Sequence, residues 1–183
     1  MKTSRVTLSK THKAIFGRLQ RCVANLQIWA AFEITKLRPP HFDRAGRYGD
    51  FFIWVPDAAI FSFVVRICSL FDSGDDCITL DSYAKIVGMN RPIPQDVRAK
   101  IDAANAAVQP LRKVRNAYYA HRSSKGTMSN LFEVNKLTYD KLLSITQKTC
   151  AAATALGSLT SLTLPPLDLE PQEGLRRLLA DLQ

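Results

Sequence analysis

Phe51 to Phe71 reads Phe-Phe-Ile-Trp-Val-Pro-Asp-Ala-Ala-Ile-Phe-Ser-Phe-Val-Val-Arg-Ile-Cys-Ser-Leu-Phe, the most apolar stretch of the chain. Its length reaches the roughly 20 residues that a helix needs to cross a bilayer. Asp57 and Arg66 interrupt it, however, and Pro56 stands near its start. Charges inside a hydrocarbon layer are costly, so the stretch reads as the buried central helix of a globular bundle rather than as a membrane span. Pro56 either occupies the first turn of that helix or kinks it. Asp72-Ser73-Gly74-Asp75-Asp76 then closes it with strong turn chemistry.

Upstream, residues 9–37 carry Ile15, Leu19, Cys22, Leu26 and Trp29 at alternating steps of four and three, the apolar stripe of one long helix. Lys10, Lys13, Arg18, Arg21, Lys36 and Arg38 decorate this segment against a single Glu33. They form either a solvated polar face or a track for a nucleic-acid backbone, and Lys13 and Arg21 are the candidate phosphate contacts. Arg38-Pro39-Pro40 ends the helix, and a loop with Arg44, Arg47 and Tyr48 follows to about Gly49.

Downstream, residues 79–87 read as a short helix capped by Thr79 and stopped by Gly88. After a Pro-rich connector, a long helix from about Pro94 to His121 carries Ile101, Ala104, Val108, Leu111, Val114 and Tyr118 as its apolar stripe. Pro110 is expected to kink or split it, because an interior proline loses a hydrogen bond and clashes one turn back. A polar loop, 123–130, precedes a last core helix over about 136–156, where Tyr139, Leu142, Leu143, Ile145, Thr149 and Ala153 give a looser helical pattern. Pro165-Pro166 separates a tail in which Leu175, Leu178, Leu179 and Leu182 recur at helical spacing. No segment shows sustained strand alternation. The expected fold is therefore all-α, a domain over 1–164 with a tail over 165–183.

The end of the fourth helix is the chemically dense part. Leu111 to Ser124 reads Leu-Arg-Lys-Val-Arg-Asn-Ala-Tyr-Tyr-Ala-His-Arg-Ser-Ser. At about 100° per residue, Leu111, Val114, Tyr118 and His121 share one stripe, and Arg112, Arg115, Tyr119 and Arg122 a neighbouring one. Six residues separate Arg115 from His121, so on an ideal α-helix they point about 120° apart. They can serve one substrate only if the helix ends near His121 or a second copy of the chain supplies the other half.

Arg115-Asn116-Ala117-Tyr118-Tyr119-Ala120-His121 resembles the signature of the HEPN superfamily: an arginine, a polar residue, and a histidine four to six positions beyond the arginine. Together with Ser69-Leu70-Phe71-Asp72 at the end of an apolar helix, it looks most like the abortive-infection U branch. The resemblance implies an antiparallel bundle of about five helices that forms a homodimer, whose paired Arg/His motifs make a shared cleft for metal-independent RNA cleavage in a defence or toxin system. It assigns the catalytic roles to Arg115, Asn116 and His121. His121 would move protons, since imidazole titrates near neutrality. Arg115 would stabilise charge on the phosphate oxygens, and Asn116 would orient His121 or the phosphate. Arg112, Lys113, Tyr119 and Arg122 would then join Lys13 and Arg21 as RNA contacts, with Tyr119 placed to stack a base. The competing structural readings are plain: a helix-terminal histidine on an apolar stripe is usually architectural, and a rim tyrosine is usually packed. The rival function is a non-catalytic HEPN module that binds RNA or a nucleotide, or pairs with a nucleotidyltransferase; a third reading is an interaction module with an acidic partner.

The totals agree with a nucleic-acid partner. Net charge is +9, a sign that favours phosphate-bearing partners. Cys22, Cys68, Cys77 and Cys150 lack CxxC spacing and read as reduced thiols of a cytoplasmic protein. His12, His41 and His121 are too dispersed for a zinc site, and Asp72, Asp75 and Asp76 do not follow the calcium-loop pattern. There is also no Gly-rich phosphate loop, so no cofactor or metal is expected. An antitoxin is a further partner that the resemblance allows.

Overall fold

The computed structural model describes residues 2–33, 49–74, 77–89, 91–120, 132–163 and 167. Five α-helices carry the fold: α1 (Lys2–Glu33), α2 (Gly49–Ser69), α3 (Leu80–Gly88), α4 (Gln95–Val114) and α5 (Tyr139–Gly157). No strand occurs among the described residues. The expected all-α class is what is found. The loop with Arg38, Arg44, Arg47 and Tyr48, the loop over 123–130, His41, and the leucines of the tail all lie outside the described residues.

The apolar stripes read from the sequence are the ones buried. Ile15, Leu19, Cys22 and Leu26 of α1 are inaccessible or nearly so, while Trp29 is only half-buried, its ring set edge-on to Phe132 at 6.3 Å. In α2, Ile60, Phe63, Val64, Ile67 and Cys68 face inward. Every described member of the α4 stripe is buried: Ile101, Ala104, Val108, Leu111 and Val114. A side chain of this size contributes about 1.5–3 kcal/mol on burial. That is more than any one surface ion pair, so the stripe sets the rotation of α4.

The core has two storeys. In one, the first half of α1 (Ile15, Phe16, Leu19), α3 (Tyr83, Ala84, Val87), the start of α4 (Val97, Ile101) and the end of α5 (Ala153, Leu156) meet. In the other, the second half of α1 (Cys22, Leu26), α2, the end of α4 (Leu111, Val114) and the start of α5 (Leu142, Ile145) meet. The start of α4 thus shares a storey with the end of α5, and the reverse, which is antiparallel packing. Arg18 of α1 reaches Ser69 at the end of α2, and α1 and α2 pack against each other along their lengths.

Element boundaries hold three surprises. Helix α1 begins at Lys2, earlier than expected; no Gly or Pro stands between Lys2 and Ser9 to stop it. Pro56 lies inside α2, seven residues past Gly49, so the first-turn alternative falls away. Pro110 does not split α4, which runs on as one element to Val114. The carbonyl it leaves without a helical partner is that of Ala106, an exposed position where water can serve it. The cap of α3 is as expected and more complete: Ser82 N donates to Thr79 Oγ1 at 3.1 Å, and Thr79 N to Ser82 Oγ at 2.8 Å, a reciprocal capping box. Gly88 is the last helical residue, with Met89 as the cap in right-handed conformation.

Candidate functional site

The motif does not continue as α-helix. Arg115–Ala120 forms a single π-helical turn on the end of α4, with i→i+5 hydrogen bonding in place of i→i+4. Such turns are rare and recur at functional sites. The 120° separation expected for Arg115 and His121 assumed α-geometry, and it does not apply across this turn. One turn of apolar and basic residues fits either period, so the spacing alone could not announce it. His121 and Arg122 lie outside the described residues, as do the side chains of Tyr118 and Tyr119.

Two arginines one turn apart on the α4 rim take hold of consecutive residues in the link between α2 and α3. Arg112 Nη2 donates to the carbonyl of Phe71. Arg115 Nη1 donates to both carboxylate oxygens of Asp72, at 2.8 and 2.9 Å, and its Nε reaches Asn116 Oδ1 at 3.4 Å. The Arg115 and Asp72 side chains are 23% and 30% exposed, so solvent reaches the pair. Asn116 and Lys113 are exposed, and Arg112 is half-buried.

The same link is held from the other side. Arg18 Nη1 donates to the carbonyl of Ile78 at 2.9 Å and lies 3.3 Å from Ser69 Oγ and 3.4 Å from the Ser69 carbonyl. Leu80 N donates to the Leu70 carbonyl at 2.9 Å, closing the link on itself. Within it, Gly74 takes φ +155°, which only glycine adopts without strain, and a Cβ there would stand 3.2 Å from Cys77 Sγ. Arg18, placed by sequence on a possible backbone track, therefore works as a tether. Lys10, Lys13 and Arg21 are exposed on α1.

Below the arginines lies a buried thiol. Burial pushes Cys68 up to about 12, with Arg115 and then Arg112 pulling it down and Asp72 pushing it up between them. The thiol stays neutral and unreactive, and its response marks how near both guanidinium groups come to the core. The buried Nε atoms of Arg66 and Arg112 have no hydrogen-bond partner among the described residues. Arg112 adds a second guanidinium to the α2–α4 corner beside the Arg115–Asp72 pair, so its two arginines outnumber the one carboxylate that meets them.

One polar cluster was missed altogether. His12, named from sequence only as too remote for a metal site, is buried between α1 and α3. Its Nε2 donates to the Thr163 carbonyl at 3.1 Å and its Nδ1 lies 2.8 Å from Tyr83 Oη. In the neutral ring, Nε2 carries the hydrogen and Nδ1 accepts the tyrosine proton. In the sequence, Asp72 reads as turn chemistry and as part of the Ser-Leu-Phe-Asp resemblance. Nothing in local spacing could assign it to Arg115, since 43 residues separate the two.

The all-helical antiparallel bundle, together with the Arg-Asn-…-His motif of its sequence, defines a HEPN domain. The AbiU2 HEPN family model matches residues 14–178, and the chain belongs to that family. No curated protein and no solved structure matches. No helix among the described residues is long and apolar enough to cross a membrane, and no group of three metal-ligating side chains occurs among them.

Proposed function

We propose that this chain is a metal-independent endoribonuclease of an abortive-infection or toxin system, acting as a homodimer on RNA. The observation that carries the reading is the placement of Arg115 and Asn116 at the head of a π-helical turn, solvent-reachable, with the motif of a HEPN family running on to His121. In the reaction, His121 or its copy in the second protomer takes the proton of a ribose 2′-hydroxyl. The freed oxygen attacks the adjacent phosphorus, the bond to the 5′-oxygen breaks, and a second imidazole protonates that oxygen as it leaves. The products are a 2′,3′-cyclic phosphate and a 5′-hydroxyl. Arg115 stabilises charge on the non-bridging oxygens at the point of greatest crowding. Arg112, Lys113, Tyr119 and Arg122, with Lys13 and Arg21 on α1, supply backbone and base contacts. Two copies of the motif in a symmetric pair bring the two histidines and two arginines to one cleft.

The test is incubation of purified protein with total RNA in the presence of a chelator, followed by analysis of the ends. Cyclic phosphate termini are expected. His121→Ala should abolish cleavage while leaving the helical signal intact, and Arg115→Ala should cost about 10²–10³-fold in rate, the usual loss for one stabilising donor. Arg115→Lys should recover little, because a point charge does not reproduce the planar fork. Wild-type rates for His121→Ala would overturn the reading. The Arg115–Asp72 ion pair favours one alternative, a non-catalytic module that binds RNA or a nucleotide, because it gives Arg115 an anion of its own. That alternative takes over if wild type cleaves nothing and both substitutions lower affinity.

A further inference from the structure

Asp72 enters the arginine site from outside the motif, and it does so from a base that cannot drift. The residue before it, Phe71, is held through its carbonyl by Arg112. The link that carries both is closed by Leu80 N on Leu70 O, and Arg18 pins it at Ser69 and Ile78. Three helices therefore fix where the Asp72 carboxylate stands before Arg115 meets it. We infer that Asp72 is the positioning residue of the site, setting the angle at which the Arg115 guanidinium meets a phosphate; this rests on the RNA-cleaving reading above.

The geometry of the pair separates positioning from blockage. Tight recognition of a phosphate or carboxylate by arginine uses two parallel N–H groups from two different nitrogens. Asp72 instead receives both of its bonds from Nη1 alone, at 2.8 and 2.9 Å. The carboxylate thus addresses one corner of the planar group and does not take two of its nitrogens as a phosphate would. The pair is also partly in solvent, 23% and 30% exposed, so an incoming anion meets a guanidinium already oriented. A long arginine side chain left free would sample many rotamers, and ordering it at each encounter is a cost that a fixed partner removes in advance. Arg112, held on a neutral carbonyl, keeps its full charge beside the pair, so the corner stays net positive after Asp72 has offset Arg115.

The experiment is a double-substitution cycle with two readouts. Asp72→Asn keeps the size of the side chain and removes its charge; Asp72→Glu keeps the charge and moves it. Each is made in the wild-type and Arg115→Ala backgrounds. With RNA as substrate, Asp72→Asn is expected to lower kcat by about ten- to a hundredfold, the scale on which a misplaced group costs rate, with KM little changed. It should cause no further loss where Arg115 is already alanine, and Asp72→Glu should recover part of the rate. The second readout needs no activity: side-chain nitrogen NMR of Arg115 should show slowed rotation of the guanidinium in wild type and its release in Asp72→Asn. Wild-type kcat in Asp72→Asn, the same fold-loss in both backgrounds, or an unchanged Arg115 spectrum each overturns the inference. Faster cleavage also overturns it, since Asp72 would then be a competing anion. A wild type inert toward RNA sinks the nuclease reading instead, and the NMR arm still decides whether Asp72 holds Arg115.

Discussion

The two polar clusters of this bundle sit in different storeys of the core and are built on opposite plans. Around His12 every polar atom has a neutral partner: the imidazole gives one hydrogen to Thr163 and takes one from Tyr83, with Phe16 against its face. Around Arg115 the main partner, Asp72, is charged, solvent reaches the pair, and the buried Nε of neighbouring Arg112 has no hydrogen-bond partner among the described residues. A network that is closed and dry holds a fold together; one that is open and charged has capacity for a ligand. The buried histidine is held by neutral partners inside the fold, while the partly exposed arginine keeps its access to solvent.

Substitutions should separate the two. His12→Ala removes a buried ring together with its hydrogen bonds to the Tyr83 hydroxyl and the Thr163 carbonyl, so it should cost about 2–4 kcal/mol of stability. In a chain of this size that is roughly a 10 °C fall in Tm, measurable by calorimetry, with RNA cleavage per folded molecule unchanged. Arg115→Ala should do the reverse, losing cleavage while costing about 1 kcal/mol or less in stability, since its ion pair is partly screened by solvent. Equal stability losses at the two positions would show that both clusters serve the fold alike.

A smaller effect comes with alkali. Burial pushes the Tyr83 phenol up to about 12, against a modest pull from the Thr160 hydroxyl. Its folded-state value lies above its unfolded value near 10, so the folded state holds the proton more tightly. That contribution is fully present below about pH 10 and is lost as pH rises towards 12, at up to about 1.4 kcal/mol per pH unit. Tyr83→Phe should flatten denaturation curves across that window. The smallest change expected is at the exposed cations of α1. Lys13→Ala or Arg21→Ala should lower the salt dependence of RNA binding by about 0.7 in the log–log slope per lost phosphate contact, with stability unaffected.

What could be read from the sequence followed from periodicity and local chemistry. The stripe through Ile101, Ala104, Val108, Leu111 and Val114 fixed which face of α4 is buried, because a 3.6-residue period is a one-dimensional signal. Thr79 announced its helix because a cap is a relation between residues three apart. The partners of Arg18, Arg112 and Arg115 lie 51 to 60, 41 and 43 residues away. Only the packed bundle brings them together, so no window along the chain could show them. His12 escaped for the same reason, its two partners standing 71 and 151 residues off. The motif itself was visible, and its turn type was not.

The π-turn at Arg115–Ala120 has a consequence for how such a chain can be re-engineered or can diverge. A turn closed by i→i+5 bonds holds one residue more than the α-turn it replaces, so the helix carries a spare link at this joint. Removing Ala117 would let the turn close as α-helix, and everything after it would swing by about 100° and draw back about 1.5 Å relative to the core. The bundle upstream of Arg115 would not notice. A single-codon deletion is thus a dial on the phase between arginine and histidine, and the tolerance of the signature for a histidine four to six places on is what such a dial would leave in its sequences.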